Sequence, residues 1–399
     1  MPSARRLGLP ETSTASRLSP EAQLLCFALP GRPVGQASLQ SLLDQGVDCE
    51  KLVSLAHRNR MTLCLFDMLS RNGLSISGLE AYRAEARAEA AASAAHLAES
   101  LRLLRVFEHA SIAVVPYKGA ILDQQLYGGR GLRQAGDIDL LVPRDSFERA
   151  QQVLTTTGYR PAVALTDRQR RRCARTVRET AYVSVDGLHS VDLHWSLHPH
   201  GERSPQATRA VLSRTAATGI DGRPVRVLSQ EDHFFALILH GNRHAWERLS
   251  WLCDVALYLR DYPEMDWDVL LQRARDARAV RALSLALALS SEVLGVLPPR
   301  AVAAHMPVPL APPGLVERVV SRIFGVETPA LTGLESVKFR LTTSDSPRRQ
   351  ALEMARLWLT LGEADFRLVD LPTPLFPAYY IIRPVRLTVK ALRADPWLA

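Results

Sequence analysis

Asp137 and Asp139 sit two residues apart inside the apolar run Gly136-Asp137-Ile138-Asp139-Leu140-Leu141-Val142. In a β-strand the side chains alternate between faces, so both aspartates project from one side, about 6.6 Å apart along the strand. Ile138, Leu140 and Val142 then turn to the other face, where they can enter a core. Such a strand buries one face while it presents two carboxylates from the other, which is costly unless cations neutralise them. Hard divalent ions such as Mg²⁺ prefer oxygen ligands of this kind. Taken alone, the same residues also suit a solvent-exposed strand edge decorated with acids.

The flanks add chemistry. Upstream, Ile112–Val115 reads as a short strand, followed by Tyr117-Lys118-Gly119-Ala120 and a helical pattern through Leu126. A glycine at a helix start leaves free backbone N–H groups, and with the helix dipole these favour a phosphate. Lys118 adds a point charge at the same place. Downstream, Ser190-Val191-Asp192-Leu193-His194-Trp195 alternates again: Val191, Leu193 and Trp195 share one face, Asp192 and His194 the other. A third carboxylate on a neighbouring strand would complete a two-metal site.

These segments resemble the nucleotidyltransferase superfamily, with its polymerase-β-like fold. Its pattern is a glycine turn at a helix start, then an apolar–Asp–apolar–Asp/Glu–apolar strand, then a third acid on a later strand. More narrowly, the chain resembles a poorly characterised bacterial group of that superfamily. The likeness lies in YKGAILDQQLY, RQAGDIDLLVP, VDLHWSLHP, HGNRHAWERLSWLCDVA and LFPAYYIIRPVRL, which spread from about residue 112 to residue 387.

The resemblance implies an α+β fold, a mixed sheet with flanking helices set between N- and C-terminal helical regions. It also implies metal-assisted nucleotidyl transfer, in which two ions about 3.5–4 Å apart clamp a triphosphate for in-line attack at the α-phosphorus. Asp137, Asp139 and Asp192 become the catalytic and metal-ligating residues, with Asp139 bridging and Asp192 nearer the acceptor. Lys118, Gly119, Arg130, Arg133 and Gly136 fall to the nucleotide, since guanidinium groups suit phosphate bidentately. His240, Arg243 and His244 are placed beside the same cleft. The ions expected are Mg²⁺ or Mn²⁺ and the substrate an NTP, taken as ATP. Its AMP would pass to a hydroxyl or phosphate of a small molecule or protein. One departure stands out. The turn reads Lys118-Gly119-Ala120, without the usual Ser or Gly after the glycine, and 17 residues separate Gly119 from Asp137. The extra length includes Tyr127-Gly-Gly-Arg-Gly131, a stretch suited to a loop.

Composition narrows the alternatives. A chain of 399 residues with 47% hydrophobic content can bury a sizeable core in two or three domains. Its five cysteines are scattered and form no C-x-x-C pair, so neither a disulfide framework nor a zinc knuckle is indicated. No run reaches the ~20 apolar residues that span a bilayer. Met1 to Arg17 lacks the apolar segment of a secretory signal, so residues 1–18 read as a disordered tail and the expected location is cytoplasmic. The net charge of +8 suits an anionic partner such as a nucleotide.

Three parts follow the tail. Residues 19–110 read as a helical module, opened by Ser19 as N-cap with Pro20 at the first position. Residues 111–228 read as the catalytic domain, with a helix Arg144–Thr156 and strands Ala181–Val185 and Val191–Trp195. Residues 229–399 return to helices, starting at the capping pair Ser229 and Asp232. Other motifs are less committed. His240-Gly-Asn-Arg-His244 has metal-pair spacing but lacks the glutamate of a zinc protease. His194 suits either an acid/base partner of Asp192 or a satisfied strand-end histidine. Trp195, Trp246 and Trp251 read as packing residues. The basic run Arg168-Gln-Arg-Arg-Arg172, with Arg160, Arg175 and Arg178, lacks the interleaved aromatics of single-strand binders, so a nucleic-acid partner is not expected. Pro374–Arg393 is amphipathic, and its prolines favour folding back onto the body over lying on a membrane. Two further activities fit the same residues: a catalytically weak nucleotide-binding regulator, and an RNA-modifying nucleotidyltransferase whose basic run lines the cleft.

Overall fold

A five-stranded mixed sheet carries the residues of interest. The computed structural model describes residues 17–166, 168–170, 178–197, 205–303, 305–306, 311–312, 314–325, 333–345, 348, 355, 359 and 361–393. The expected tail up to residue 16, and Arg171, Arg172 and Arg175 of the basic run, lie outside the described residues. The strands are β1 (Val115–Pro116), β2 (Ile138–Leu141), β3 (Tyr159–Pro161), β4 (Glu179–Ser184) and β5 (Ser190–His194), in the order β1-β2-β5-β4-β3. Among the described strands of this sheet only β2 and β5 run parallel, in a register that pairs Asp139 with Asp192. A separate hairpin joins β6 (Ala216–Ile220) and β7 (Arg223–Val227).

The alternation read from the sequence decides the layers. Ile138, Leu140 and Val142 enter one core with Val191, Leu193 and Trp195, capped by Phe107 and Phe147. Leu141 turns to the opposite face, beside Val115 and Tyr117. Several boundaries differ from expectation by a residue or more. β1 starts at Val115 rather than Ile112, following Ser111 in the left-handed region at φ 52°. Arg144–Ser146 forms a 3-10 turn before the helix Phe147–Thr156. β4 begins at Glu179, two residues before Ala181, which brings Glu179 opposite His194.

Helices on both sides of the sheet segment share a single apolar core. Leu24, Leu25 and Leu65 from the N-terminal part pack with Leu252, Leu257, Leu283 and Leu287 from the C-terminal part. Ser19 caps the helix Pro20–Phe27, its side chain accepting from the Ala22 N–H, and Ser229 caps Gln230–Arg243 through the Asp232 N–H. The alanine-rich segment forms one helix, Arg83–His109. Its buried residues Ala86, Ser93, Ser100 and Phe107 recur every seven positions, a narrow stripe running from the helical core to the sheet core. The amphipathic C-terminal segment does fold back: Phe376 and Tyr379 pack with Leu361 and Phe366, and buried Asp365 binds Arg383 and Arg386. Among the described residues no helix is long and apolar enough to cross a membrane.

Candidate active site

The parallel pairing of β2 with β5 sets Asp139 and Asp192 side by side. Asp137 stands one residue before β2, at its mouth rather than within it. The turn from β1 then fixes how closely the next helix approaches. Gly119 has φ +64°, and a Cβ on it would lie 2.9 Å from the Asp137 carbonyl oxygen. Any other residue would be both strained and in collision, so the glycine is required by conformation and by space. The helix Gly119–Leu126 begins there, with Lys118 as N-cap and no side-chain cap on its N–H groups.

The longer loop between this turn and Asp137 is held rather than loose. The Asp123 carboxylate accepts from the backbone N–H groups of Gly131 and Arg133, each at 2.8 Å. Arg133 donates to the Gly119 carbonyl at 3.2 Å and grips Asp254 through two nitrogens, each 2.9 Å from a carboxylate oxygen. Arg130 pairs with Asp67 at 2.9 Å.

The carboxylates are unequally neutralised. Asp139 Oδ1 receives Lys118 Nζ at 2.7 Å and His194 Nε2 at 3.1 Å. Its Oδ2 is buried with no hydrogen-bond partner among the described residues. Burial alone would raise the Asp139 pKa, but Lys118 and His194 outweigh it and hold the carboxyl well below its usual range. The other nitrogen of His194 faces Glu179 Oε2 at 3.2 Å. Burial disfavours the imidazolium, yet its hydrogen bonds to Asp139 and Glu179 raise the His194 pKa. His194 is clamped between two carboxylates, both of which favour its protonated form. The remaining acids move the opposite way: Asp137 is raised, first by the charge of Asp139 and then by burial. Asp192 is pushed up to about 6, first by burial and then by Asp139.

A cavity of about 400 Å³ opens over these groups. Of the residues expected at the nucleotide, Lys118, Gly119, Arg133, Gly136, His240, Arg243 and His244 line it together with all three aspartates. Arg130 is not among its lining residues, because its guanidinium is engaged by Asp67. His240 lies 3.4 Å from Lys118 Nζ, and burial, then that lysine, depresses its pKa well below the ordinary value. His244 is lowered to about 4 by burial and by Arg243. Both are neutral at pH 7. They meet Trp251 ring to ring, at centroid distances of 4.9 and 5.3 Å. Trp246 and Trp195 are buried as packing residues, whereas Trp251 forms part of the cavity wall.

Glu179, Arg60 and Arg248 complete the surroundings and were not singled out from the sequence. Glu179 carried a signal, as the polar residue two before an expected strand. Arg248 falls within the segment HGNRHAWERLSWLCDVA that carries the family resemblance, whereas Arg60 carried no signal, since it follows a helix end far from the aspartate motif in sequence.

The donor set fits a hard divalent cation. Asp139, Asp192 and His194 offer potential ligand atoms within 4.8 Å of one another, with Asp137 beside them. The nitrogens of His194 are taken up by carboxylates, which leaves oxygen donors. An orphaned buried oxygen on Asp139 and the mutual repulsion among three carboxylates are what such an ion relieves. A family model described as an uncharacterised nucleotidyltransferase matches residues 45–295, a stretch that contains every residue named in this site. No curated protein matches the chain.

Proposed function

The chain belongs to that family of uncharacterised nucleotidyltransferases, and from that membership we propose that it transfers AMP from ATP to a hydroxyl or phosphate of a small molecule or protein, with Mg²⁺ or Mn²⁺. The observation that carries this reading is the in-register pair Asp139 and Asp192, with Asp137 at the strand mouth and the Lys118-Gly119 helix start beside them. Three carboxylates that share one cavity favour turnover over a binding-only role, for which two acids would suffice. Of the described residues of the basic run, Arg168 and Arg170 are not among the cavity's lining residues, and Arg178 alone reaches the adjoining pocket beside Lys118 and His194, which leaves the RNA-modifying reading the weaker one.

Asp137, Asp139 and Asp192 would hold the ions, which when bound neutralise developing phosphate charge and lower the pKa of the attacking hydroxyl. The N–H groups opening the helix Gly119–Leu126 orient the phosphates, while Lys118 stays paired with Asp139 beside them. Asp192 faces the acceptor and takes up its proton. His194, fixed by Glu179, holds the Asp139 carboxylate in place. Neutral His240 and His244 with Trp251 shape the wall.

The test is incubation with each α-labelled NTP, Mg²⁺ or Mn²⁺, and an extract of metabolites and proteins. Metal-dependent label transfer that vanishes in the Asp137→Ala/Asp139→Ala variant supports the reading, and the labelled species identifies the acceptor. No metal-dependent NTP binding at all would sink it.

A further inference from the structure

Building on the nucleotidyl-transfer reading, we propose that Arg60 and Arg248 form the subsite for the β- and γ-phosphates of the nucleoside triphosphate. The pyrophosphate would leave from this corner. In the transfer the acceptor oxygen bonds to the α-phosphorus and the bond to the α–β bridging oxygen breaks. The electron pair departs with pyrophosphate, and the acceptor proton goes to Asp192.

Charge pairing within the cavity singles out these two side chains. Lys118 is spent on Asp139, Arg133 on Asp254 and Arg243 on Glu179. Glu247 faces Arg322 at 3.8 Å. Arg60 and Arg248 line the same cavity, and the side chain of neither makes an ion pair or a conventional hydrogen bond among the described residues. Arg248 lies over the Trp251 ring, 5.1 Å from its centroid, which orients the guanidinium without neutralising it. Arg60 reaches over the loop that leads to Asp137, its Nη2 4.0 Å from where a side chain on Gly136 would begin. Two guanidinium groups in a half-buried cavity repel each other and lose hydration, a cost that Glu247 and Asp137 offset only in part. Burial, and then the charge of Arg60, lowers the Arg248 pKa accordingly.

The scaffold holds the pair in place. Arg60 follows the helix Cys49–Arg58, and Arg248 is the N-cap of the helix Leu249–Asp261. Asn59 ties the two ends together: its side-chain oxygen accepts from the Leu249 N–H at 2.8 Å and its backbone carbonyl from the Ser250 N–H at 3.3 Å. Its amide nitrogen donates to the carbonyls of Leu55 and Ile323, both at 3.0 Å. Arg60 itself has φ +56°, in the left-handed region that favours glycine. A residue with a long cationic side chain thus occupies a position where the backbone alone would prefer none. Planar guanidinium forks suit the paired oxygens of a polyphosphate.

Titration calorimetry with sodium tripolyphosphate, with adenosine, and with ATP in Mg²⁺ buffer tests this on the full chain. Arg60→Gly and Arg248→Ala are each expected to weaken tripolyphosphate and ATP about tenfold or more, and the double variant about a hundredfold, with adenosine unchanged. Glycine suits the backbone at residue 60, so lost binding in that variant is not lost folding. Tripolyphosphate binding within twofold of the wild type in both variants overturns the proposal, as does a wild type that does not bind it. If the variants lose tripolyphosphate but it fails to compete with ATP, the corner serves an acceptor phosphate and the assignment falls. Loss of binding in the variants, with no label transfer from any NTP, leaves the subsite standing and removes the transfer step. Transfer with unchanged ATP affinity in the variants does the reverse.

Discussion

In the helical part of the molecule Asp254 is 0% exposed, and both of its oxygens are engaged: Arg133 binds them in a fork and the Tyr127 hydroxyl donates at 2.7 Å. At the sheet, Asp139 is 1% exposed, yet Lys118 and His194 converge on one oxygen while the other has no partner among the described residues. Burial is the same and the chemistry differs. Where a carboxylate serves the fold, its lone pairs are filled from within the chain. Where it faces a cavity beside two more carboxylates, part of its capacity is left for something from outside. The same division separates Arg133 from Arg60 and Arg248: the first is consumed by the fold, the others are not.

The largest expected effect tests the filled side. Asp254→Ala leaves the Arg133 charge buried and unpaired, and truncation of one partner of a buried pair costs about 3–5 kcal/mol. Urea unfolding should record a loss of that size. A loss below about 1 kcal/mol would mean that water or another acid compensates, and the contrast with Asp139 would lose its basis.

On the unfilled side the sign reverses and depends on pH. Asp192 is raised in the fold to about 6, so the native state holds its proton more tightly than the unfolded chain does. Its carboxylate therefore costs the fold nothing below the ordinary carboxyl range, and the cost grows as pH rises to about 6. Above that it amounts to about 2–3 kcal/mol, from roughly two pKa units at 1.36 kcal/mol each. In metal-free buffer, Asp192→Asn should stabilise the protein by about that much at pH 8 and by almost nothing at pH 4. An equal change at both values would show that the effect is packing rather than charge.

Much of this contrast is legible in the sequence on the carboxylate side and little of it on the cation side. Strand alternation gives Ile138, Leu140 and Val142 to the core and the aspartates to the cavity, because period-two patterning is a local property. The Lys118-Gly119 helix start and the Ser19 and Ser229 caps are local too. The fates of the arginines are not. Arg130 and Arg133 lie near the motif, and nothing in the sequence says that Asp67 and Asp254, distant along the chain, engage them. Conversely, Arg60 and Arg248 reach the cavity only because Asn59 joins two helix ends that share the common core. Side-chain pairing across such distances follows from tertiary packing.

The smallest expected effect bears on what the unfilled side costs. Arg60 occupies the left-handed position after a helix, with the Met61 N–H bonded back to the Ala56 carbonyl at 2.8 Å. For an L-residue that conformation costs about 1–2 kcal/mol. Glycine avoids it but gives the unfolded chain more freedom, which returns about 0.5–1 kcal/mol. Arg60→Gly should therefore stabilise the protein by about 0.5–1 kcal/mol in urea unfolding, even as it weakens polyphosphate binding. Stability and binding that move in opposite directions on one substitution would mark residue 60 as a place where the fold is strained in favour of the ligand. If both decline together, Arg60 belongs with Arg133, among the charges that hold the structure.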